Sequence, residues 1–384
     1  MKSLLNNAIT KARDDVKRAQ SAERRPYSAS DEDIIKVLEE SKAKIRVFGC
    51  GGAGGNAINR MKESNIDGIE LIAVNTDAQA LLENMSDKKI LVGRKLTKGL
   101  GAGSEPQIGE AAAKESKTEL EKEIKGGDLI FITCGLGGGT GTGVAPVIGE
   151  IAKENNCLTL AVVTLPFTVE GRIRTQNALE GLKKLRNVID TVIVIPNDKI
   201  LEIAPDLPLN TAFRVADEVL TNAVKGIAEM ITKPGLINLD FADLRTIMNR
   251  GGAAMIGLGE STPESNTADR ALLAAENALT SPLLDIDISK AKRALVNVVG
   301  GTDMSIKEAQ TIVEAVASKI DPEAHIIWGA MIDAEMPKSQ IKAMIVVVGG
   351  YFPYIDAPLG PDGKTKYRNT GDEDIDDFDI GYTG

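Results

Sequence analysis

A chain of 384 residues is too long for one typical core and calls for two packed domains plus extensions. With 43% hydrophobic and 26% charged residues, and no apolar run near the roughly eighteen residues of a membrane span, it has the make-up of a soluble protein. The net charge of −10 argues against broad nucleic-acid binding, which needs a basic face, and residues 1–25 lack the continuous apolar stretch of a secretory signal, so a cytoplasmic chain without a membrane span is expected.

Residues 1–25 set Leu5, Ile9, Ala12, Val16 and Ala19 at alternating four- and three-residue steps, which predicts a weakly amphipathic helix ended by Pro26. Its small, alanine-rich face suits docking on the body or on a neighbouring subunit better than a membrane. From Lys44 onwards apolar runs at 45–48, 69–74, 128–133, 158–164 and 191–195 alternate with helical stretches such as 104–124 and 143–154. That alternation predicts a Rossmann-like parallel sheet with helices on both faces and ligands at the carboxyl ends of the strands. A long helix follows over 209–231, with Leu209, Ala212, Phe213, Ala216, Leu220, Val224 and Ile227 on one stripe, stopped by Pro234-Gly235. Strand-like runs near 254–258, 294–299, 325–332 and 343–348, with helices near 268–280 and 305–319, predict a smaller α/β domain with a mixed sheet. Residues 358–384 are rich in Pro, Gly, Asp and Lys, turn acidic from Asp372 to Asp379, and read as a mobile tail.

Cys50, Cys134 and Cys157 lie in or beside apolar stretches without metal-ligand spacing and read as reduced packing thiols. His325 is the only histidine, at the start of a strand-like run, so histidine-based acid–base or zinc chemistry is not expected.

Two glycine loops carry the chemistry. Gly49 to Asn56 follows a strand, opens a helix and satisfies G-x-G-x-x-G, which by itself also fits a dinucleotide-binding unit with Asp77 on a ribose hydroxyl. The second loop, Gly135-Leu136-Gly137-Gly138-Gly139-Thr140-Gly141-Thr142-Gly143, places six glycines in nine residues between a strand and a helix. Backbone amides, two threonine hydroxyls and a helix dipole can there hold a triphosphate without the lysine of a Walker A loop. An NAD-dependent dehydrogenase would leave this second loop unexplained, and the chain has no Tyr-x-x-x-Lys pair.

Gly137 to Gly143 resembles the tubulin signature of the tubulin/FtsZ GTPases. The resemblance spans about residues 44 to 350. It is reinforced in order by Gly49 to Asn56, Asn75-Thr76-Asp77, Gly99 to Ser104, Pro166-Phe167 with Glu170 and Arg174, Ile195-Pro196-Asn197-Asp198, and Asn238-Leu239-Asp240-Phe241-Ala242-Asp243. The blocks stand closer to the FtsZ branch than to eukaryotic tubulin. The division this implies is an extension over 1–40, a GTP-binding domain over 41–208, a central helix over 209–233, a C-terminal domain over 234–350 and a tail over 351–384.

The resemblance implies that Gly51, Gly52, Ala53, Gly54, Gly55, Asn56, Asn75, Ala102, Gly103, Ser104 and the run Gly138, Gly139, Thr140, Gly141, Thr142, Gly143 surround the phosphates of GTP or GDP and their Mg2+. It places Glu170 on the ribose, has Arg174 reach the nucleotide, and adds Asn197 to the binding set. Phe213 would stack on the base and Asp217 would read it. A carboxylate accepts from both N1–H and the N2 amine of guanine, a donor pair that adenine lacks. By themselves, Phe213 reads as a core aromatic and Asp217 as a solvated helix-face charge.

Asp240 and Asp243 read from their spacing as a helix cap and a first-turn acid. The resemblance instead makes Asn238, Asp240 and Asp243 the loop that completes the neighbouring subunit's active site, polarising the water that attacks the γ-phosphate. If Asp217 touches guanine, about 24 Å of helix separates it from this loop, so the acids act in trans and the subunits join head to tail into filaments. The implied role is a division-ring GTPase at mid-cell, or failing hydrolysis a structural relative. The N-terminal helix and the acidic tail, with Ile375, Phe378, Ile380 and Tyr382, resemble the archaeal branch, whose tail docks on a SepF-type membrane anchor.

Overall fold

Strand β1 (Ile45–Cys50) shows why both faces of the sheet are covered: Ile45 and Val47 enter one core while Phe48 and Cys50 enter another, all nearly free of water. This is a computed structural model in which residues 42–349 are described, except 65, 67, 234, 263–268 and 285. The predicted N-terminal helix, the acidic tail and Pro234 lie outside the described residues. Two compact units, Met1–Lys42 and Ala43–Gly384, divide the chain, and everything below belongs to the second.

After β1 come α1 (Gly51–Glu63), β2 (Ile69–Asn75), α2 (Ala78–Leu82), β3 (Lys88–Leu91), α3 (Arg94–Thr97), α4 (Pro106–Glu115), α5 (Lys117–Ile124) and β4 (Leu129–Gly135). They lead into α6 (Thr140–Glu154), β5 (Leu158–Leu165), α7 (Arg172–Val188), β6 (Thr191–Pro196), α8 (Asp198–Ile203) and the long α9 (Leu209–Thr232). The remainder is α10 (Phe241–Met248), β7 (Gly252–Glu260), α11 (Arg270–Leu279), β8 (Arg293–Gly300), α12 (Ile306–Ala317), β9 (His325–Ile332) and β10 (Ile341–Val348).

The strands form one sheet in the order β3-β2-β1-β4-β5-β6-β7-β10-β8-β9. Its first six are parallel in the doubly wound order, which puts a crevice at the carboxyl ends of β1 and β4, where the chain reverses direction across the sheet. β7 pairs parallel with the first half of β6, β10 is antiparallel to both β7 and β8, and β8 and β9 are parallel. The Rossmann-like sheet, long central helix and mixed C-terminal sheet expected from the sequence are all present. That one sheet runs through all ten strands was not legible beforehand.

Helix α9 buries Ala212, Ala216, Leu220, Ala223, Val224 and Ile227 on the predicted stripe. Removing each of the large ones from water is worth roughly 1.5–3 kcal/mol. Phe213 departs from that stripe: it is 37% exposed and meets the buried Phe167 edge-on, with ring centroids 5.1 Å apart. The helix expected over 104–124 is two helices, because Ser116 leaves the helical conformation between α4 and α5 and its hydroxyl accepts from the Gly93 amide at 3.1 Å.

Candidate functional site

The carboxyl ends of β1, β4, β5 and β6 open into a cleft of about 290 Å³, lined among others by Gly52, Ala53, Ser104, Gly138, Gly139, Thr140, Gly141, Glu170, Arg174, Asn197, Phe213 and Asp217. Two helices begin at it. Both starts are bare: the cap residues Cys50 of α1 and Gly139 of α6 offer no side-chain acceptor, and neither first turn holds an acid. Helix α2 is by contrast capped by Asp77, whose Oδ1 accepts from Gln79 and Ala80 at 2.9 and 3.1 Å, so this acid serves its own backbone. The open amides of α1 and α6 lie side by side, since a Cβ on Gly51 would stand 2.9 Å from the Gly141 nitrogen. Two adjacent helix N-termini without internal acceptors suit a polyanion.

The glycines divide by what they face. Gly52 and Gly138 look into open space, whereas a Cβ on Gly143 would come within 2.2 Å of the Pro106 carbonyl, and one on Gly54 within 2.5 Å of that of Thr133. Gly139 is backed by Ala102, and Gly103 takes a φ of +57° in the same loop. Thr142 is buried and its hydroxyl accepts from the Gly137 amide at 2.8 Å, holding the loop from beneath. The hydroxyls of Thr76 and Thr140 meet at 2.6 Å. Gly51, Gly55, Asn56 and Asn75 line an adjoining cleft of about 160 Å³, which Gly52 shares.

Gly138→Ala should therefore keep the melting temperature and weaken ligand binding, whereas Gly143→Ala should destabilise the α4–α6 packing by about 1–3 kcal/mol. Thermal melts and nucleotide titrations of both variants check this. Equal melting temperatures would remove the distinction.

At the other end of the cleft, Asn197 is among the lining residues and is buried, with its Oδ1 lacking a hydrogen-bond partner. Glu170 accepts from the Phe167 amide at 2.8 Å through one oxygen and pairs with Arg174 through the other. Burial pushes the Asp217 carboxyl up to about 6, against the opposing effects of the Arg60 charge and a hydrogen bond from Asn56. Asn56 thus turns toward Asp217. Arg60 is a residue that sequence reasoning missed; its only signal was its place four residues after Asn56 on one helix face.

Asn238, Asp240 and Asp243 line none of these clefts. Their loop leaves the far end of α9 and docks on β9, where the Leu236 amide donates to the Ala330 carbonyl at 2.8 Å. Leu239 is buried while Asn238 and Asp240 point outward, the alternation of an extended segment. The Asn238 side chain accepts from the Gly235 amide, Asp240 caps α10 through the Ala242 amide at 3.3 Å, and Asp243 stands exposed in the first turn. The cap reading and an outward-facing acid pair hold together. Asp217 and Thr232 lie on one unbroken helix, which sets them about 22 Å apart at 1.5 Å per residue.

The three cysteines are free and buried, and burial pushes the Cys134 thiol up to about 12. His325 is exposed at the start of β9. Among the described residues, no cluster of His, Cys, Asp and Glu could hold a metal ion, and no helix is long and apolar enough to cross a membrane.

Comparison with known proteins matches residues 44–205 to the GTPase domain of the Tubulin/FtsZ family and residues 252–350 to the C-terminal domain of the FtsZ family. Cell division protein FtsZ 1 of Archaeoglobus fulgidus is 52% identical over 97% of this chain and 98% of its own length. Its namesake in Thermococcus kodakarensis is 57% identical over 88% of each. Among solved structures, an empty FtsZ dimer from M. jannaschii superposes with a TM-score of 0.81 at 51% identity, covering 91% of this chain and 100% of that one.

Proposed function

This chain belongs to the Tubulin/FtsZ family, and from that premise we propose how its two separated sites make one enzyme. It is a cytoskeletal GTPase of cell division that self-associates and forms the division ring. The finer assignment is ours. GTP lies with its phosphates on the bare N-termini of α1 and α6, its base between Phe213 and Asp217, and its ribose near Glu170 and Arg174. Asn197, whose buried Oδ1 has no hydrogen-bond partner, takes a donor from the ligand. Residues 41–208 then act as the GTP-binding domain and 209–233 as the helix joining it to the C-terminal domain that presents the acids.

The observation that carries the mechanism is the placement of Asn238, Asp240 and Asp243 at the opposite end of α9 from Asp217. No subunit brings its own acids to its own nucleotide. In a head-to-tail contact the outward-facing Asp240 and Asp243 of one subunit meet the cleft of the next, accept a proton from the attacking water and orient it in line with the γ-phosphate. Such a contact is heterologous and propagates as a filament. The hydroxyls of Thr76 and Thr140, 2.6 Å apart beside the glycine loop, would hold Mg2+ together with the phosphates and the ion's own waters, and it would neutralise charge there. Phosphate release with GTP should rise more steeply than linearly with protein concentration, and ATP should give almost none. Linear release down to dilute monomer would refute assembly-dependent catalysis.

We place the protein in the cytoplasm at mid-cell, held to the membrane by a SepF-type anchor that binds the tail. The composition of residues 358–384 cannot support a core. Deleting them should leave GTPase activity and filaments intact and abolish recruitment to anchor-bearing vesicles. Loss of assembly on truncation would make the tail structural instead.

A further inference from the structure

Helix α1 runs from the phosphate end of the cleft to its base end. Gly52, Asn56 and Arg60 follow one another at four-residue steps on one face. Gly52 lines the main cleft, while Asn56 and Arg60 line a neighbouring one of about 410 Å³ together with Asn59, Glu63, Arg214 and Asp217. Asp217 belongs to both clefts and is the group they share. The Arg60 guanidinium is held by Glu218 at 3.4 Å, and 26% of the Arg60 side chain is exposed.

We propose that Arg60 is a positioning residue for base recognition, the cation that keeps the Asp217 carboxylate charged and therefore able to accept from both guanine donors. The inference rests on the reading of Asp217 as the group that reads the base. The need for such a cation follows from the site. A protonated carboxyl presents a donor of its own where guanine also presents donors, so one hydrogen bond is lost and a clash of hydrogens replaces it. Burial drives Asp217 toward that protonated form, and Arg60 and Asn56 are the two groups that oppose it.

Other charges around Asp217 do less. Glu218 is engaged by Arg60, Glu170 and Arg174 pair with each other at the edge of the main cleft, Glu63 would favour protonation, and Arg214 stands exposed on α9 where water screens it. Arg60 acts from partly covered ground, where screening is weaker.

The test is the GTP dissociation constant from pH 5.5 to 8.5 for the wild type, Arg60→Met, Arg60→Lys and Asp217→Asn. Dividing each variant by the wild type at each pH cancels titration of the nucleotide itself. For Arg60→Met the loss of the neighbouring cation should move the pH midpoint of binding upward by roughly one unit, giving about fivefold weaker binding near pH 6. The deficit should close to within about twofold at pH 8.5, which also shows that the variant is folded. Arg60→Lys should restore the wild-type midpoint. A deficit of the same size at every pH, or an unmoved midpoint, overturns the proposal. Wild-type affinity in Asp217→Asn would instead overturn the base reading. Weak, pH-independent binding by Asp217→Asn together with an unmoved Arg60→Met midpoint would leave the base reading standing and remove Arg60 alone.

Discussion

Asp243→Ala should bind GTP as the wild type does, assemble, and hydrolyse about 10²–10⁴-fold more slowly, the range typical for losing a positioned acid–base group. The reason is geometric. Asp243 is exposed in the first turn of α10, beyond the far end of α9, and lines no part of the cleft that holds Asn197, Phe213 and Asp217. Removing it leaves the nucleotide's own contacts untouched. Filaments should then persist in the GTP state, because the step that turns them over has been slowed. Asp240→Ala should act likewise with a small stability cost of about 1 kcal/mol, since Asp240 also caps α10. The double variant should be little worse than either single one, because both acids act on one water. Mixing Asp243→Ala with Asp217→Asn provides the strictest check. Each alone hydrolyses slowly, yet in filaments co-assembled from equal amounts about one contact in four joins an intact cleft to an intact acid loop, and activity should return to that extent. Full per-subunit hydrolysis by dilute, monomeric protein would place catalysis within one chain.

Asp217→Asn should weaken GTP binding by roughly 10²–10⁴-fold, the loss of two charge-assisted hydrogen bonds at about 1.5–3 kcal/mol each, and should blunt the preference for guanine over adenine. The substitution keeps size and burial and exchanges an acceptor for a mixed group that opposes one guanine donor. It should also make the nucleotide-free protein more resistant to unfolding at neutral pH. The folded-state carboxyl sits at about 6, above its ordinary 3.8, so the folded chain disfavours the ionised form. That penalty is absent at low pH, grows as pH rises through 3.8 to about 6, and is complete at pH 7. The asparagine carries no such charge. Melting curves without nucleotide therefore separate loss of recognition from loss of fold. A variant that melts higher yet binds GTP poorly fits both expectations, and one that binds GTP normally refutes the assignment.

Much of the fold was legible because its signals are local. Apolar runs such as 158–164 and the stripe on 209–231 each encode one element through their own periodicity. The elements that escaped notice carry weak signals: α7 buries only Ala178, Gly181, Leu182 and Leu185 in seventeen residues, and β3 is four residues long. Of the site, the two glycine loops declared themselves through composition. Their individual roles did not, since Gly138 and Gly143 lie in the same motif while one faces open space and the other an adjacent helix.

By itself, then, the sequence determined the order of the longer strands and most of the longer helices, the anion-binding character of both glycine loops and the family, because periodicity, turn chemistry and motif spacing are properties of neighbouring residues. Tertiary structure decided what depends on distant segments meeting. It joined ten strands into one sheet, turned Phe213 out of its stripe onto Phe167, and brought Arg60 of α1 against Glu218 of α9 and into one cleft with Asp217. Whether a carboxylate is charged, or a glycine touches ligand or helix, is set by burial and by what the chain packs against it, and neither exists until the sheet has closed its layers.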